Sequence, residues 1–150
     1  MMKKTKQGFT LIELLVVIGI LAILTAVVLV AVNPGRQLAQ ARNTARGADI
    51  NAILTAVTAY VADPVNNGSL PPSMASAPNC LPGPAGAVGT GGINLALDLA
   101  PTYIADIPMD PSVGTAADTG YTICIADATA NRITIAAPSA ELNLNLSVTR

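Results

Sequence analysis

The sequence predicts an α+β protein in which one long N-terminal helix packs on a small three-stranded antiparallel sheet. Two observations predict this fold class. The first third of the chain is apolar and then amphipathic at helical spacing, which indicates a helix with a transmembrane half and an amphipathic half. The last third contains three segments in which apolar and polar residues alternate, which is typical of half-buried strands.

Composition argues against a nucleic-acid-binding protein and against a metalloenzyme. Only 11% of the 150 residues are charged and 51% are hydrophobic, whereas soluble domains carry about 25% charged residues. The net charge of −1 gives no basic footprint for nucleic acid. The chain has no His and two Cys, too few for a zinc site. We therefore expect no catalytic residue, no cofactor and no bound nucleic acid.

The N-terminal apolar segment is long enough to cross a bilayer. Leu14 to Val32 is a run of 19 residues without a charge, and a bilayer core requires ~20. Three lysines precede it, which predicts a cytoplasmic N-terminus and a head outside the membrane. A cleaved signal peptide stays open as an alternative, although its apolar region is usually shorter, ~7–15 residues. A plain membrane anchor is a second alternative.

Neither alternative explains Glu13, which lies within the apolar segment. A carboxylate at the centre of a membrane span costs roughly 2.5–3.5 kcal/mol, and less near an end. The positive end of the helix dipole offsets part of that cost. An acidic residue in a membrane span is therefore a functional candidate, and we expect a cation to be its partner.

The residues KKTKQGFTLIEL, at positions 3–14, resemble the class III signal of type IV pilins and pseudopilins. The resemblance implies a pilin fold, cleavage by prepilin peptidase after Gly8, and N-methylation of Phe9. It also implies that Glu13 meets the terminal amine of Phe9 on a neighbouring subunit as a filament assembles. An isolated subunit would then show an unpaired acid.

The same resemblance implies the partners and the location of the protein. The partners are further copies of the chain, prepilin peptidase, an inner-membrane assembly platform with its ATPase, and minor pilins. Before assembly the subunit would be a single-pass protein of the cytoplasmic membrane, held in the lipid bilayer with its head outside. Afterwards it would be part of a cell-surface or periplasmic filament.

The helix is predicted to break and then resume as far as Ala62. Asn33-Pro34-Gly35 predicts a kink or a short melted stretch, and Asp63-Pro64 predicts the end of the helix. Apolar residues recur at helical spacing: Ile50, Ile53, Leu54, Val57, Tyr60 and Val61. Arg42, Arg46 and Asp49 are assigned mainly to a solvated polar face, which in a filament could meet acidic surfaces of neighbours.

Pro and Gly dominate the connection to the sheet. Residues 63–92 contain 6 Pro and 6 Gly, which predicts a surface loop. Ile93 to Ala100 predicts a short helix closed by Pro101. Ile107 to Pro111 (IPMDP) resembles the segment that precedes the sheet in major pseudopilins of type II secretion.

Alternating apolar residues define the three predicted strands, of which the third is expected at an edge. They are Tyr121, Ile123 and Ile125; Ile133 and Ile135; and Leu142, Leu144, Leu146 and Val148. Asp127–Asn131 predicts a hairpin loop between the first two strands. The sheet is expected to bury its apolar face against the stripe from Ile50 to Val61.

Two further sets of residues carry open alternatives. In an exported head, Cys80 and Cys124 would form a disulfide, or they stay as two free thiols. Because major pseudopilins bind calcium near their sheet, Asp106, Asp110 and Asp118 are weak calcium candidates. We favour turn formation for these aspartates, because their spacing matches no fixed calcium loop.

The sequence thus predicts five segments and one function. The segments are a leader (1–8), a transmembrane and filament-core helix (9–32), an amphipathic helix (33–62), a connecting loop with a short helix (63–111) and a sheet (112–150). The predicted function is that of a structural subunit of a type IV pilus or pilus-like filament. The first alternative is the major pseudopilin of a type II secretion system, which forms a periplasmic piston. A membrane-anchored enzyme or binding module is the second alternative.

Overall fold

The computed structural model of the chain describes residues 8–80 and 85–150. Most of the predicted leader and residues 81–84 of the predicted loop lie outside the described residues. The helices are α1 (Leu11–Val32), α2 (Pro34–Ala62) and α3 (Ala96–Leu99), and the strands are β1 (Gly86–Ala87), β2 (Thr122–Asp127), β3 (Arg132–Ala137) and β4 (Leu146–Thr149). Short 3-10 helices cover Pro64–Asn66 and Pro72–Ser76. The chain divides after Leu38 into an N-terminal unit and a head, Ala39–Arg150.

In the N-terminal unit, α1 is an apolar helix of 22 residues with no buried side chain. Its mean hydropathy is 3.2, and at 1.5 Å per residue it is about 33 Å long. By length and composition it is able to cross a membrane. The predicted N-terminal apolar helix is therefore confirmed.

The interruption between the first two helices is confined to one residue. Asn33 adopts a left-handed conformation with φ 44° and ends α1. Pro34 is then the first residue of α2, a position where its missing N–H costs no helical hydrogen bond. The Asn33 Oδ1 atom accepts a hydrogen bond from the Arg36 N–H at 3.3 Å. The kink predicted near Pro34 stays a prediction.

The head is built on the apolar stripe of α2. Ile50, Ile53, Leu54 and Val57 are buried there in one core, as the helical spacing predicts. The sheet contributes Tyr121, Ile123, Ile133 and Ile135 to the same core. α2 ends at Ala62, and the Asp63 carboxylate accepts a hydrogen bond from the Val65 N–H at 2.9 Å.

The antiparallel sheet has four strands in the order β1-β2-β3-β4, so the prediction of three strands was wrong. The additional strand, β1, pairs Gly86 with Ile123. Two residues give no alternating pattern, which explains why the sequence did not reveal it. Gly86 packs closely on Ile93: a Cβ atom at this position would lie 2.5 Å from Ile93 Cδ1, so a larger residue would force the Ile93 side chain to shift.

The strand β4 lies at an edge of the sheet, as predicted, but it begins at Leu146 rather than at Leu142. Leu142 and Asn143 have φ values of 60° and 57°, and such left-handed residues cannot continue a strand. The residue before them, Glu141, is held by side chains of α2. This tertiary anchor diverts the backbone from the extended path that the alternating leucines predict.

Candidate functional site

The predicted cleavage position lies just ahead of α1. Gly8 and Phe9 both precede the helix, and the Phe9 side chain is 92% exposed. Among residues 8–80 and 85–150, no atom outside its chain neighbours comes within 4 Å of the position that a Cβ would occupy at Gly8. Both residues therefore lie in an open segment of backbone.

A capping box at the start of α1 holds the Glu13 carboxylate. Its Oε2 atom accepts hydrogen bonds from the Thr10 N–H at 2.8 Å and from the Thr10 hydroxyl at 2.7 Å. The Thr10 Oγ1 atom accepts in turn from the Glu13 N–H at 3.3 Å. Each residue thus satisfies polar groups that the helix terminus would otherwise leave without partners.

Among the described residues, no cation lies within ion-pairing distance of Glu13. The carboxylate nevertheless has neutral donors, both supplied by Thr10. The role of Thr10 was missed in the sequence, although the Thr-x-x-Glu spacing of a capping box was present to reveal it.

A shallow apolar groove adjoins this carboxylate. It is lined by Phe9, Ile12, Glu13, Val16 and Val17. Glu13 is the one charged residue of the lining. The groove therefore combines an apolar surface with a single negative group.

In the head, Arg46 is fully buried, so its assignment to a solvated face was wrong. Its Nε and Nη2 atoms donate to the two oxygens of Asp110 at 2.6 and 3.1 Å. The other acceptors are Ser112 Oγ, Asn43 Oδ1 and Glu141 Oε1. Five N–H groups of the guanidinium thus meet five acceptors, which is what a buried arginine requires.

Burial of Asp110 would by itself raise the pKa of its carboxyl, but the hydrogen bonds from Arg46 and Ser112 outweigh that effect and lower the pKa. Asp110 is the aspartate of the IPMDP segment. Its position shows what this segment does in the fold: it brings a carboxylate to the buried face of α2.

Glu141 extends the same cluster to the segment before β4. Arg42 donates to both of its carboxylate oxygens, at 2.6 and 2.7 Å, and Arg46 donates to one at 3.2 Å. The hydrogen bonds from Arg42, followed by those from Arg46, lower the pKa of Glu141 to about 2. Arg42 is therefore paired within its own head, which differs from the simply solvated side chain that its place on a polar face predicts.

The third charge of that predicted polar face, Asp49, also has a partner in the head. The hydroxyl of Tyr121 donates to Asp49 Oδ2 at 2.6 Å. Burial and this hydrogen bond both raise the pKa of Tyr121. The polar side of α2 therefore fastens the loops and strands of the head to the helix.

The three calcium candidates do not come together. Asp110 binds Arg46, Asp106 Oδ1 accepts from the Ile107 N–H at 2.8 Å, and Asp118 Oδ1 accepts from the Gly120 N–H at 2.9 Å. Within residues 8–80 and 85–150, no three or more His, Cys, Asp or Glu side chains form a group able to hold a metal ion.

Cys80 and Cys124 are joined in a disulfide, with Cα atoms 5.0 Å apart. The Cys80 N–H also donates to the carbonyl of Ile125 at 2.9 Å. The disulfide and this hydrogen bond together fasten the Pro/Gly-rich connection to β2.

The N-terminal segment matches a known family model. Residues 3–29 match the family model of the prokaryotic N-terminal methylation motif, which is the type IV pilin and pseudopilin signature. No curated protein and no solved structure matches the chain. The methylation motif and the apolar helix α1 fit a membrane-anchored pilin or pseudopilin.

Proposed function

We propose that this chain is a structural subunit of a type IV pilus or pilus-like filament. The observation that carries the proposal is the methylation motif at residues 3–29, which leads directly into α1. Proteins with this motif are structural rather than catalytic, and we assign no catalytic residue and no cofactor to this chain.

In this proposal, prepilin peptidase cuts between Gly8 and Phe9 and methylates the new terminus at Phe9. Cleavage creates a cationic amine four residues ahead of Glu13. In an apolar surrounding an unpaired carboxylate is costly, whereas attraction to a cation is stronger than in water. The Glu13 carboxylate, which opens onto an apolar groove, then pairs with the Phe9 amine of a neighbouring subunit.

The apolar surface of α1 supplies the rest of the assembly energy. No residue of α1 is buried within its own chain. The bilayer covers this surface before assembly, and the α1 helices of other copies cover it in the filament. The assembly platform with its ATPase moves the subunit between these two surroundings, and minor pilins join the filament.

A major pseudopilin of a type II secretion system is the second candidate. The IPMDP segment, whose Asp110 is paired with Arg46, favours it over a surface pilin. Electron microscopy of cells that express the chain separates the two roles. Long surface fibres containing the chain contradict the periplasmic piston, and a filament confined to the periplasm contradicts the surface pilus.

The variant Glu13→Ala tests the assembly mechanism. We expect it to be cleaved normally but to give far fewer filaments, because the Phe9 amine of the neighbour loses its counter-charge. The amount of filament sheared from the cells is measured relative to the amount of subunit that stays in the membrane. Thr25→Ala is the matched control, because Thr25 bonds only the Leu21 carbonyl of its own helix. A normal filament yield from Glu13→Ala would remove the proposed role of Glu13.

A further inference from the structure

The tight turn that follows α2 contains Asn67-Gly68, the only Asn-Gly pair in the sequence. Asn67 has φ 50° and ψ 33°, and Gly68 has a φ of 73°. The Ser69 N–H donates to the Asn66 carbonyl across the turn at 2.9 Å. Positive φ at both central residues is the type I′ arrangement that Asn-Gly favours. Both central residues are exposed, so water reaches the turn.

The two groups that can react with each other in this pair are free of hydrogen bonds. Within the part of the chain that the structure describes, the Asn67 side chain has no hydrogen-bond partner and the Gly68 N–H has no acceptor. Among residues 8–80 and 85–150, no atom outside its chain neighbours comes within 4 Å of the position that a Cβ would occupy at Gly68. The glycine therefore leaves its backbone nitrogen unhindered.

These groups permit deamidation, a reaction that needs only water. The Gly68 nitrogen gives up its proton to solvent and attacks the Cγ atom of Asn67, and the new C–N bond closes a five-membered succinimide ring. The bond from Cγ to the side-chain nitrogen breaks, and that nitrogen takes up a proton and leaves as ammonia. Water then opens the ring at either carbonyl and gives aspartate or isoaspartate. Water is consumed, ammonia is released, and a carboxylate replaces a neutral amide.

The folded turn opposes the first step of this reaction. Ring closure requires the Gly68 nitrogen and the Asn67 Cβ atom to lie on the same side of the Cα–C bond of Asn67. At ψ 33° this nitrogen instead lies nearly opposite Cβ, because Cβ and the backbone nitrogen are about 120° apart around that bond at a tetrahedral Cα. The peptide must therefore rotate through a large angle before the nitrogen can attack.

A hydrogen bond from the β2–β3 hairpin opposes that rotation. Asn131 Nδ2 donates to the Gly68 carbonyl at 2.6 Å. On the other side of the turn, Asn66 Nδ2 donates to the Tyr60 carbonyl of α2 at 2.9 Å. Because rotation about Asn67 ψ carries the Gly68 carbonyl away from the hairpin, the bond from Asn131 must break before the ring can close.

We propose that Asn67 is a deamidation site that reacts when this turn opens, and that the bond from Asn131 limits how often it opens. Local opening of a surface segment requires less free energy than unfolding of the whole head. Each reaction adds a negative charge to the turn after α2, so the modified subunits are those whose turn has opened. The inference is independent of the filament, because it concerns a contact within one head.

The reaction is measured on the full chain in detergent, incubated in mildly alkaline buffer either folded or in urea. Chymotrypsin cuts after Tyr60 and Leu70, and mass spectrometry of the released peptide distinguishes Asn66 from Asn67. We expect deamidation at Asn67, with Asn66 as the unreacted internal control. The rate in urea should be at least about tenfold higher than in the folded chain, because the hydrogen bonds that close the turn are lost.

Asn131→Ala tests the contact with the hairpin. We expect its folded chain to deamidate roughly fivefold faster than the parent, because one hydrogen bond to the Gly68 carbonyl is lost. Asn145→Ala is the matched control, since Asn145 is an exposed asparagine of the head that does not bond this turn. Protease resistance shows whether each variant folds, and Asn131→Asp, which has the same size but lacks the donor, replaces an alanine variant that does not.

Each part of the inference has an outcome that overturns it. If Asn67 stays unmodified in urea, it is not a deamidation site. If the folded and urea-unfolded parent react at the same rate, the turn does not restrain the reaction. If a folded variant at Asn131 reacts no faster than Asn145→Ala, the bond from the hairpin does not limit opening of the turn.

Discussion

At the scale of single residues, the head depends on charges that α2 buries. Arg46 is 0% exposed and meets five acceptors drawn from three parts of the chain. Replacing a whole buried ion pair by apolar residues can be neutral, whereas removing one partner leaves a buried charge alone. The cluster therefore makes the head sensitive to single substitutions.

Arg46→Met should destabilise the head by about 3–5 kcal/mol, because it leaves the buried Asp110 carboxylate without its cation. The stability of Arg46→Lys should lie between those of Arg46→Met and the parent, because lysine keeps the positive charge but lacks the planar guanidinium group that binds several acceptors at once. The free energy of unfolding is measured by pulse proteolysis of the full chain in urea and detergent. Arg132→Met removes an exposed arginine of β3 and is the control. Equal stabilities for Arg46→Met and Arg132→Met would contradict this role.

Glu141 should make the stability of the head depend on pH. Its pKa falls from 4.5 to about 2 in the folded head, chiefly through Arg42. The unfolded chain therefore binds more protons below about pH 5, and the stabilisation is lost as pH falls from about 5 toward 2. Glu141→Gln should have a lower free energy of unfolding than the parent at pH 6. The difference between the two proteins should become smaller by pH 3. If this difference in free energy of unfolding stays constant or grows as the pH falls, the Glu141 carboxylate is not stabilised by the arginines of α2.

At the scale of elements, sequence periodicity predicted which residues form the core, but not the ion pairs and hydrogen bonds that hold the connecting segments to α2. The stripe from Ile50 to Val57 and the strands β2 and β3 follow from spacing alone, because burial on one face repeats at a fixed interval. Arg46 and Asp110 are 64 residues apart, and no local pattern links them. The same limit explains β4, whose start at Leu146 depends on the distant anchor of Glu141.

The connection between α2 and the sheet should depend on its disulfide. Cys80 and Cys124 enclose a ring with a sequence separation of 44. The chain-entropy model gives about 4 kcal/mol for closing it, an upper value for most measured cases. Cys80→Ser/Cys124→Ser should therefore lower the urea midpoint in pulse proteolysis. The parent chain after thiol reduction should shift to the same midpoint, and a double variant as stable as the oxidised parent would contradict this prediction.

At the scale of the whole molecule, the chain joins an apolar helix with no buried residue to a head with a core of its own. A plain membrane anchor would need no acidic residue at position 13. The proposed filament explains this carboxylate together with the unburied surface of α1, because other copies of the chain would cover both. The N-terminal motif could be identified from sequence alone, whereas the buried pair of Arg46 and Asp110 required the fold.

Processing into a filament subunit fixes the first residue of the mature chain, so the intact mass of the subunit is the decisive measurement. The chain is expressed in a strain with active prepilin peptidase, and its mass and N-terminal residue are determined in membrane and filament fractions. We expect a chain that begins at N-methylated Phe9 in both fractions. A chain that begins at Met1 throughout, or one cleaved after the apolar segment, would show that this protein is not processed as a pilin-like subunit.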